Sequence, residues 1–136
     1  MDAALRYYNC YTDLTKALRV SYNISVATAD GNVNGSVRFG KNRSNMQVAT
    51  AMHEVAHTLG IGGPDFGPML VNGRFPGAVA TAELRAITGI ADDEVHGDTQ
   101  HFWPFGLNYE SEYKTESDLI NHCRLVVAIR KDMGYD

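Results

Sequence analysis

Apolar side chains recur at spacings of three and four residues in several parts of the chain, which is the period of helices that bury one face. This pattern predicts an N-terminal helix over about residues 3–20, a central helix over about residues 45–59 and a C-terminal helix over about residues 117–133. A shorter helical segment is predicted over residues 81–88. Helices therefore account for most of the predicted regular structure.

Local signals mark the two ends of the central helix. Ser44-Asn-Met-Gln47 has the form of a capping box, in which the serine hydroxyl accepts from a backbone N–H and the glutamine reaches back. We therefore expect the helix to begin at about Asn45. It should stop at Gly60, which a Gly-Gly-Pro segment soon follows, and Gly134 marks the end of the C-terminal helix in the same way.

Between residues 21 and 40 the pattern changes to short runs of strand-forming residues. The two runs are residues 23–28 and residues 36–39, and the turn-forming pairs Asp30-Gly31 and Asn34-Gly35 separate them. This arrangement predicts a small sheet or hairpin.

A loop is expected from Gly62 to Gly77, because this stretch contains five glycines and three prolines. The chain of 136 residues shows no repeat, and its length fits one compact domain, residues 1–136. The predicted fold class is α+β. It consists of a small, twisted, mixed sheet backed by the N-terminal, central and C-terminal helices, with the glycine-rich loop lining a cleft.

Composition and charge exclude several classes of partner. The net charge is −4 and Lys and Arg form no run longer than two residues, which argues against binding to nucleic acid or to anionic membranes. No apolar stretch approaches the roughly 20 residues that span a bilayer. The N-terminus does not have the pattern of a signal peptide, so a secreted form would already have lost its signal.

The two cysteines, Cys10 and Cys123, are too far apart in sequence to form a typical metal-binding pair. A disulfide between the terminal segments is one interpretation. Two buried free thiols are the other, since cysteine is often a small core residue.

The central helix carries the sequence His53-Glu54-Val55-Ala56-His57. Residues four apart lie one turn from each other on the same helix face, so both imidazoles can reach one ion. Zinc is the expected ion, because neutral imidazole suits its tetrahedral geometry. Glu54 would lie beside the ion, where it can act as general acid and base toward a water polarised by the metal. The alternative is a chance pattern of ordinary histidines.

Extended to eight residues, His53-Glu-Val-Ala-His57-Thr-Leu-Gly60 resembles the motif of zincin metallopeptidases in its metzincin form. The resemblance implies that the glycine breaks the active-site helix and lets the chain turn back toward the metal. It also implies an edge strand, ahead of this helix, to which an extended substrate adds. Residues Ser36–Phe39 are expected to form that edge strand.

The chain departs from the metzincin pattern at the third ligand. That family has histidine or aspartate three residues after the glycine, where this chain has Gly63. Asp65 stands two residues later, His96 lies in an acidic turn-like segment, and His122 is expected to be structural. We favour His101, because the aromatic segment around it would build a rigid wall that fixes a ligand's orientation. The alternative for His101 is a core residue bonded to the backbone.

Leu107-Asn108-Tyr109 is similar to the Met-turn of metzincins, with leucine in place of methionine. The similarity implies that Tyr109 donates a hydrogen bond to the oxyanion of a tetrahedral intermediate, which typically contributes a few kcal/mol. Otherwise Tyr109 is a buried aromatic residue.

These residues together predict a zinc-dependent endopeptidase. It would bind one Zn²⁺ through His53, His57 and His101 and use Glu54 and Tyr109 in catalysis. We expect a secreted monomer whose substrate is a protein or peptide.

Three alternatives stay open. A zinc hydrolase acting on a non-peptide amide or ester would use the same ion and water. A catalytically inactive metal-binding recognition domain would close its site with four protein ligands. A carbohydrate- or protein-binding module would need an exposed aromatic cluster, formed by Phe102, Trp103 and Phe105.

Overall fold

A computed structural model describes residues 1–135, which form four α-helices and two three-stranded sheets. The predicted α+β class is confirmed. The helices are α1 (Asp2–Tyr11), α2 (Val48–Thr58), α3 (Ala78–Thr88) and α4 (Glu116–Asp132). The strands are β1 (Arg19–Tyr22), β2 (Ala29–Gly31), β3 (Ser36–Phe39), β4 (Arg74–Phe75), β5 (Val95–Gly97) and β6 (Phe102–Trp103). Short 3-10 helices cover Arg43–Asn45, Gly67–Met69 and Glu110–Glu112.

The first sheet has the strand order β1-β3-β2 and is mixed, as expected. Strand β1 runs parallel to β3, with Val20 opposite Val37, and β2 runs antiparallel to β3, with Asp30 opposite Arg38. The prediction that Ser36–Phe39 is an edge strand is therefore wrong. This strand is central, because Arg19–Tyr22, which the sequence assigned partly to a helix, pairs with its other side.

The second sheet has the order β4-β5-β6 and is antiparallel throughout. His96 lies opposite both Arg74 and Trp103 in its central strand. The sheet buries one apolar residue from each strand, namely Phe75, Val95 and Phe102. The sequence did not reveal this sheet, because strands of two and three residues are too short to show an alternating pattern.

Helix α2 lies at the centre of the fold. It packs against β2 and β3 of the first sheet and also contacts α1 and α4, while α3 packs against α4 and β5. The core on its faces includes Met52, Val55 and Leu59, and α4 contributes Leu125 and Ile129. Burial of each such side chain stabilises the fold by about 1.5–3 kcal/mol. The packing therefore fixes α2 relative to the first sheet and to the two terminal helices.

Two predicted elements near the N-terminus differ from the structure. The first helix ends at Tyr11 and not near residue 20, because Thr12 is extended and its hydroxyl donates to the Tyr8 carbonyl at 2.7 Å. Residues 23–28 do not form a strand. They form a turn, in which the Asn23 side-chain oxygen accepts from the Ser25 backbone N–H at 2.9 Å.

The ends of α2 were predicted with unequal success. The helix begins at Val48, because residues 43–45 form a separate 3-10 turn in which Asn42, and not Ser44, accepts the capping bond. The capping box is therefore wrong. The predicted end of α2 is confirmed. Gly60, just after the helix, has φ +112°, a conformation that favours glycine. Helix α4 covers the predicted C-terminal helix almost residue for residue.

Cys10 is exposed, Cys123 is buried and both are free thiols, so of the two interpretations the disulfide is wrong and only Cys123 fits the buried free thiol. None of the helices within residues 1–135 combines the length and apolar composition needed to cross a bilayer.

Candidate metal centre

Two histidines on α2 face each other at close range. The Nε2 atoms of His53 and His57 lie 3.1 Å apart, as expected for residues one helical turn apart. The Nδ1 atom of His53 lies 3.0 Å from the carbonyl oxygen of Gly106, and that of His57 lies 2.7 Å from the carbonyl oxygen of Ile61. A carbonyl oxygen can only accept, so both Nδ1 atoms donate and both neutral Nε2 atoms present lone pairs. Facing lone pairs repel unless a cation lies between them.

His101 joins this pair from the turn between β5 and β6. The Asp98 carboxylate accepts from the backbone N–H groups of Gln100 and His101 at 2.9 and 2.8 Å, which forms the turn. The same oxygen lies 3.0 Å from Nδ1 of His101, and the His101 ring stacks on that of His53 with centroids 5.5 Å apart. The predicted third ligand therefore stands beside the other two.

Together, His53, His57 and His101 could hold a metal ion. One potential ligand atom from each lies within 4.8 Å of the other two. Zinc–nitrogen distances of 2.0–2.1 Å in tetrahedral geometry require nitrogen atoms roughly 3.3 Å apart, close to the separation on α2. Each Nδ1 atom has an oxygen acceptor, which is the arrangement that orients metal-binding histidines and fixes their tautomer.

The electrostatics keep the two α2 imidazoles neutral. Burial, with a smaller contribution from His57, lowers the pKa of His53 from 6.5 to about 3. Burial likewise lowers the pKa of His57. Because a metal binds the neutral form of histidine, these two side chains are in the ligand form at neutral pH.

Glu54 lies beside the histidines and is only 7% exposed. Burial, together with the negative charge of Asp30, raises the pKa of its carboxyl from 4.5 to about 7. Asp30 itself is ion-paired with Arg38, whose Nε donates to it at 2.9 Å. Glu54 can therefore both accept and release a proton near neutral pH.

These groups line a cleft of about 470 Å³. Residues 28–31 form one wall, His53, Glu54 and His57 lie along α2, and the remaining boundary includes His101, Leu107 and Asn108. A neighbouring pocket of about 510 Å³ also contacts Gly31, His57, Gly62 and Gln100. The two cavities therefore adjoin and follow β2 and the residues after it.

Strand β2 is an edge of the first sheet and packs directly on α2. Gly31 is required there, because a Cβ atom at this position would overlap the backbone oxygen of Glu54. The backbone N–H of Gly40 donates to the Thr28 carbonyl, and the backbone N–H of Asn32 donates to the Ser36 carbonyl. Residues 28 and 32 therefore direct their backbone groups toward the neighbouring segment that contains β3. By the alternation of an antiparallel ladder, Ala29 and Gly31 direct their backbone N–H and C=O groups away from β3.

The other candidate ligands lie outside the cluster. Asp65 accepts from the hydroxyl of Tyr135, and the His96 ring stacks on Trp103 with centroids 6.2 Å apart. His122 is fully buried on α4, as expected for a structural histidine.

Tyr109 has a side chain that is 74% exposed, so it is not a buried aromatic residue. It lines a separate pocket beside the Asn108 side of the cleft. Its contact with an oxyanion stays a prediction.

Sequence reasoning missed Asp98 and Asp30. The spacing of Asp98, three residues before His101, is that of a side chain that accepts from the backbone of a turn, and this signal could have pointed to it. Asp30 was interpreted only as a turn residue. The Gly106 and Ile61 carbonyls carry no signal in the sequence.

Comparison with known proteins adds no relative to this picture: no family model, no curated protein and no solved structure matches the chain.

Proposed function

We propose that the domain is a zinc-dependent endopeptidase. The observation that carries the proposal is the convergence of three imidazoles beside a buried carboxyl of raised pKa in one cleft. Within residues 1–135, the cluster contains three protein ligands and no fourth. Catalytic zinc sites typically have three protein ligands and one open position, whereas structural sites have four, so this donor set disfavours the inactive recognition domain.

The chain's own residues supply most of the chemistry. His53, His57 and His101 would hold the metal through their Nε2 atoms. Zinc, when bound, would acidify a water molecule and polarise the substrate carbonyl. Glu54 accepts a proton from the attacking water and delivers it to the leaving amine, and a pKa of about 7 suits both transfers.

The edge of the first sheet supports a peptide as the substrate. An extended peptide can pair with the free backbone groups of Ala29 and Gly31, which places its carbonyl groups along the cleft that contains Glu54. Such pairing recognises a polypeptide backbone and not an isolated amide or ester. This supports the peptidase over the runner-up hydrolase.

The neighbouring pocket of about 510 Å³, which shares His57 with the cleft, would accept a substrate side chain next to the cleavage site. Its walls include Val33, Ile61 and Pro64, and no Asp, Glu, Lys or Arg is among the described residues that line it. An uncharged side chain therefore fits it best.

The aromatic segment gives little support to a binding module. Phe102 is 1% exposed, and of the three aromatic residues only Trp103, at 40%, is exposed. Secretion and a monomeric state stay predictions.

The test combines zinc content with hydrolysis of quenched fluorescent peptides. Glu54→Gln should keep about one zinc per chain and lose activity by at least about 100-fold, because it removes the general base. His101→Ala should lose zinc. Glu110→Gln removes an exposed carboxylate and should change neither property. Full peptidase activity in Glu54→Gln would refute the mechanism, and hydrolysis of esters or simple amides without peptide cleavage would favour the runner-up.

A further inference from the structure

His122 lies outside the cleft, yet its hydrogen bonds lead to it. The side chain is fully buried on α4. Its Nδ1 atom lies 2.7 Å from the Phe105 carbonyl oxygen, and its Nε2 atom lies 2.8 Å from the hydroxyl of Tyr8. That hydroxyl also lies 2.8 Å from the carbonyl oxygen of Met52. His122 and Tyr8 thus link four separate parts of the fold, namely α1, α2, α4 and the turn at Phe105.

Hydrogen-bond chemistry fixes the tautomer of His122. The Phe105 carbonyl has no proton, so Nδ1 of His122 must donate. In the neutral ring, Nε2 is then an acceptor that faces the Tyr8 hydroxyl, whose single proton is also within reach of the Met52 carbonyl. The imidazole therefore holds the Phe105 carbonyl through one defined N–H group.

Both ends of this network lead to His53, one through the chain and the other through a hydrogen bond. Met52 precedes His53 on α2, and Phe105 precedes Gly106, whose carbonyl accepts from Nδ1 of His53 at 3.0 Å. The bond from His122 is thus one peptide unit away from the bond that orients His53.

The turn that presents the Gly106 carbonyl needs support. Phe105 and Leu107 have φ values of +67° and +58°, in the left-handed region that is strained for residues with a side chain. Gly106 is packed tightly, since a Cβ atom there would overlap the Phe102 carbonyl oxygen. The surrounding contacts must therefore hold this turn in place.

We propose that His122 is a positioning residue for the metal centre. Its Nδ1–H bond to the Phe105 carbonyl holds the turn of residues 105–107, so that the Gly106 carbonyl orients the His53 ring with Nε2 toward the metal. The inference rests on the proposed zinc site but not on the reaction that the site performs.

Two amide variants test the role of the Nδ1–H group. In His122→Asn the amide nitrogen takes nearly the position of Nδ1, and in His122→Gln it takes nearly that of Nε2. We expect His122→Asn to bind zinc almost as tightly as wild type, and His122→Gln to bind it about 10–100-fold more weakly, as for other groups that support metal ligands. Zinc affinity is measured by competition with a chromogenic chelator.

The pair separates positioning from packing. Asparagine leaves the larger cavity, so a purely structural role would make His122→Asn the less stable and the weaker zinc binder. Urea denaturation of the metal-free proteins measures stability separately. Equal zinc affinity in the two variants, or weaker binding by His122→Asn, would overturn the proposal.

A measurement on the wild type covers the case in which neither variant folds. Long-range ¹H–¹⁵N spectra of the zinc-loaded protein should show His122 as the Nδ1–H tautomer with slow solvent exchange. An Nε2–H tautomer would overturn the proposal. Failure here leaves the peptidase proposal intact, because that one is tested by zinc binding in wild type, by peptide cleavage and by the activity of Glu54→Gln.

Discussion

Replacing Glu54 by glutamine should stabilise the metal-free protein, and more strongly as the pH rises. The carboxyl is 7% exposed and its pKa in the folded state is about 7, raised by burial and by the charge of Asp30. Glutamine has nearly the same shape and no charge. The substitution therefore removes the cost of an ionised buried carboxylate with little change in packing.

The magnitude follows from the two pKa values. The carboxyl ionises at about 4.5 in the unfolded chain and at about 7 in the folded protein, so the folded state binds more protons between these values. Wild type must then lose stability as the pH rises through this window. At about 1.4 kcal/mol per pKa unit, the cost is below about 1 kcal/mol at pH 5 and about 3 kcal/mol at pH 8.

The assay is urea denaturation in excess chelator at several pH values, followed by the fluorescence of Trp103, the only tryptophan. The difference in unfolding free energy between Glu54→Gln and wild type should grow by roughly 2–3 kcal/mol from pH 5 to pH 8. Other titrating groups are shared by both proteins and largely cancel. Glu110→Gln, which removes an exposed carboxylate, is the control variant measured in parallel.

A difference that does not change with pH would refute the reasoning. It would mean that the carboxyl of Glu54 titrates normally in the folded protein and is not poised for proton transfer near pH 7. A growing difference would identify Glu54 as a residue that the fold retains at a cost to its stability.

Three further substitutions test separate parts of the site. Gly31→Ala should lower the melting temperature markedly, because its Cβ atom would overlap the Glu54 backbone oxygen. The control Gly67→Ala places its Cβ atom in ordinary contact only and should leave the melting temperature nearly unchanged. Similar losses in the two variants would contradict this reasoning. Asp98→Asn keeps the turn acceptor but removes the charge facing the third histidine, and should weaken zinc binding about tenfold in chelator competition. Val33→Asp should shift cleavage in peptide libraries toward basic side chains without changing zinc content, and an unchanged preference would disprove the side-chain pocket.

Several features that depend on local sequence were predictable. Gly60 and Gly134 mark the ends of α2 and α4, and the pair His53 and His57 follows from helical spacing alone. The aromatic segment pointed to His101, which does stand beside that pair. Each of these signals lies within a few residues of the feature that it predicts.

The parts that depend on pairing between distant segments were not predictable. Nothing in Ser36–Phe39 shows that Arg19–Tyr22 occupies its other side, so the edge strand was assigned to β3 and not to β2. The short strands of the second sheet form only because residues 74, 96 and 103 meet in space. Strand order is a property of the assembled sheet and not of any one run of residues.

The acceptors of the three imidazoles differ in kind, and this has an evolutionary consequence. His53 and His57 donate to main-chain carbonyls, which no single side-chain substitution can delete. His101 depends on the carboxylate of Asp98, whose side chain is 56% accessible to solvent. A single substitution can therefore remove the acceptor of His101 outright, whereas substitutions elsewhere reach His53 and His57 only by displacing main-chain carbonyls. The turn that carries Asp98 and His101 is thus the place where related sequences can change the affinity of the proposed metal centre most directly.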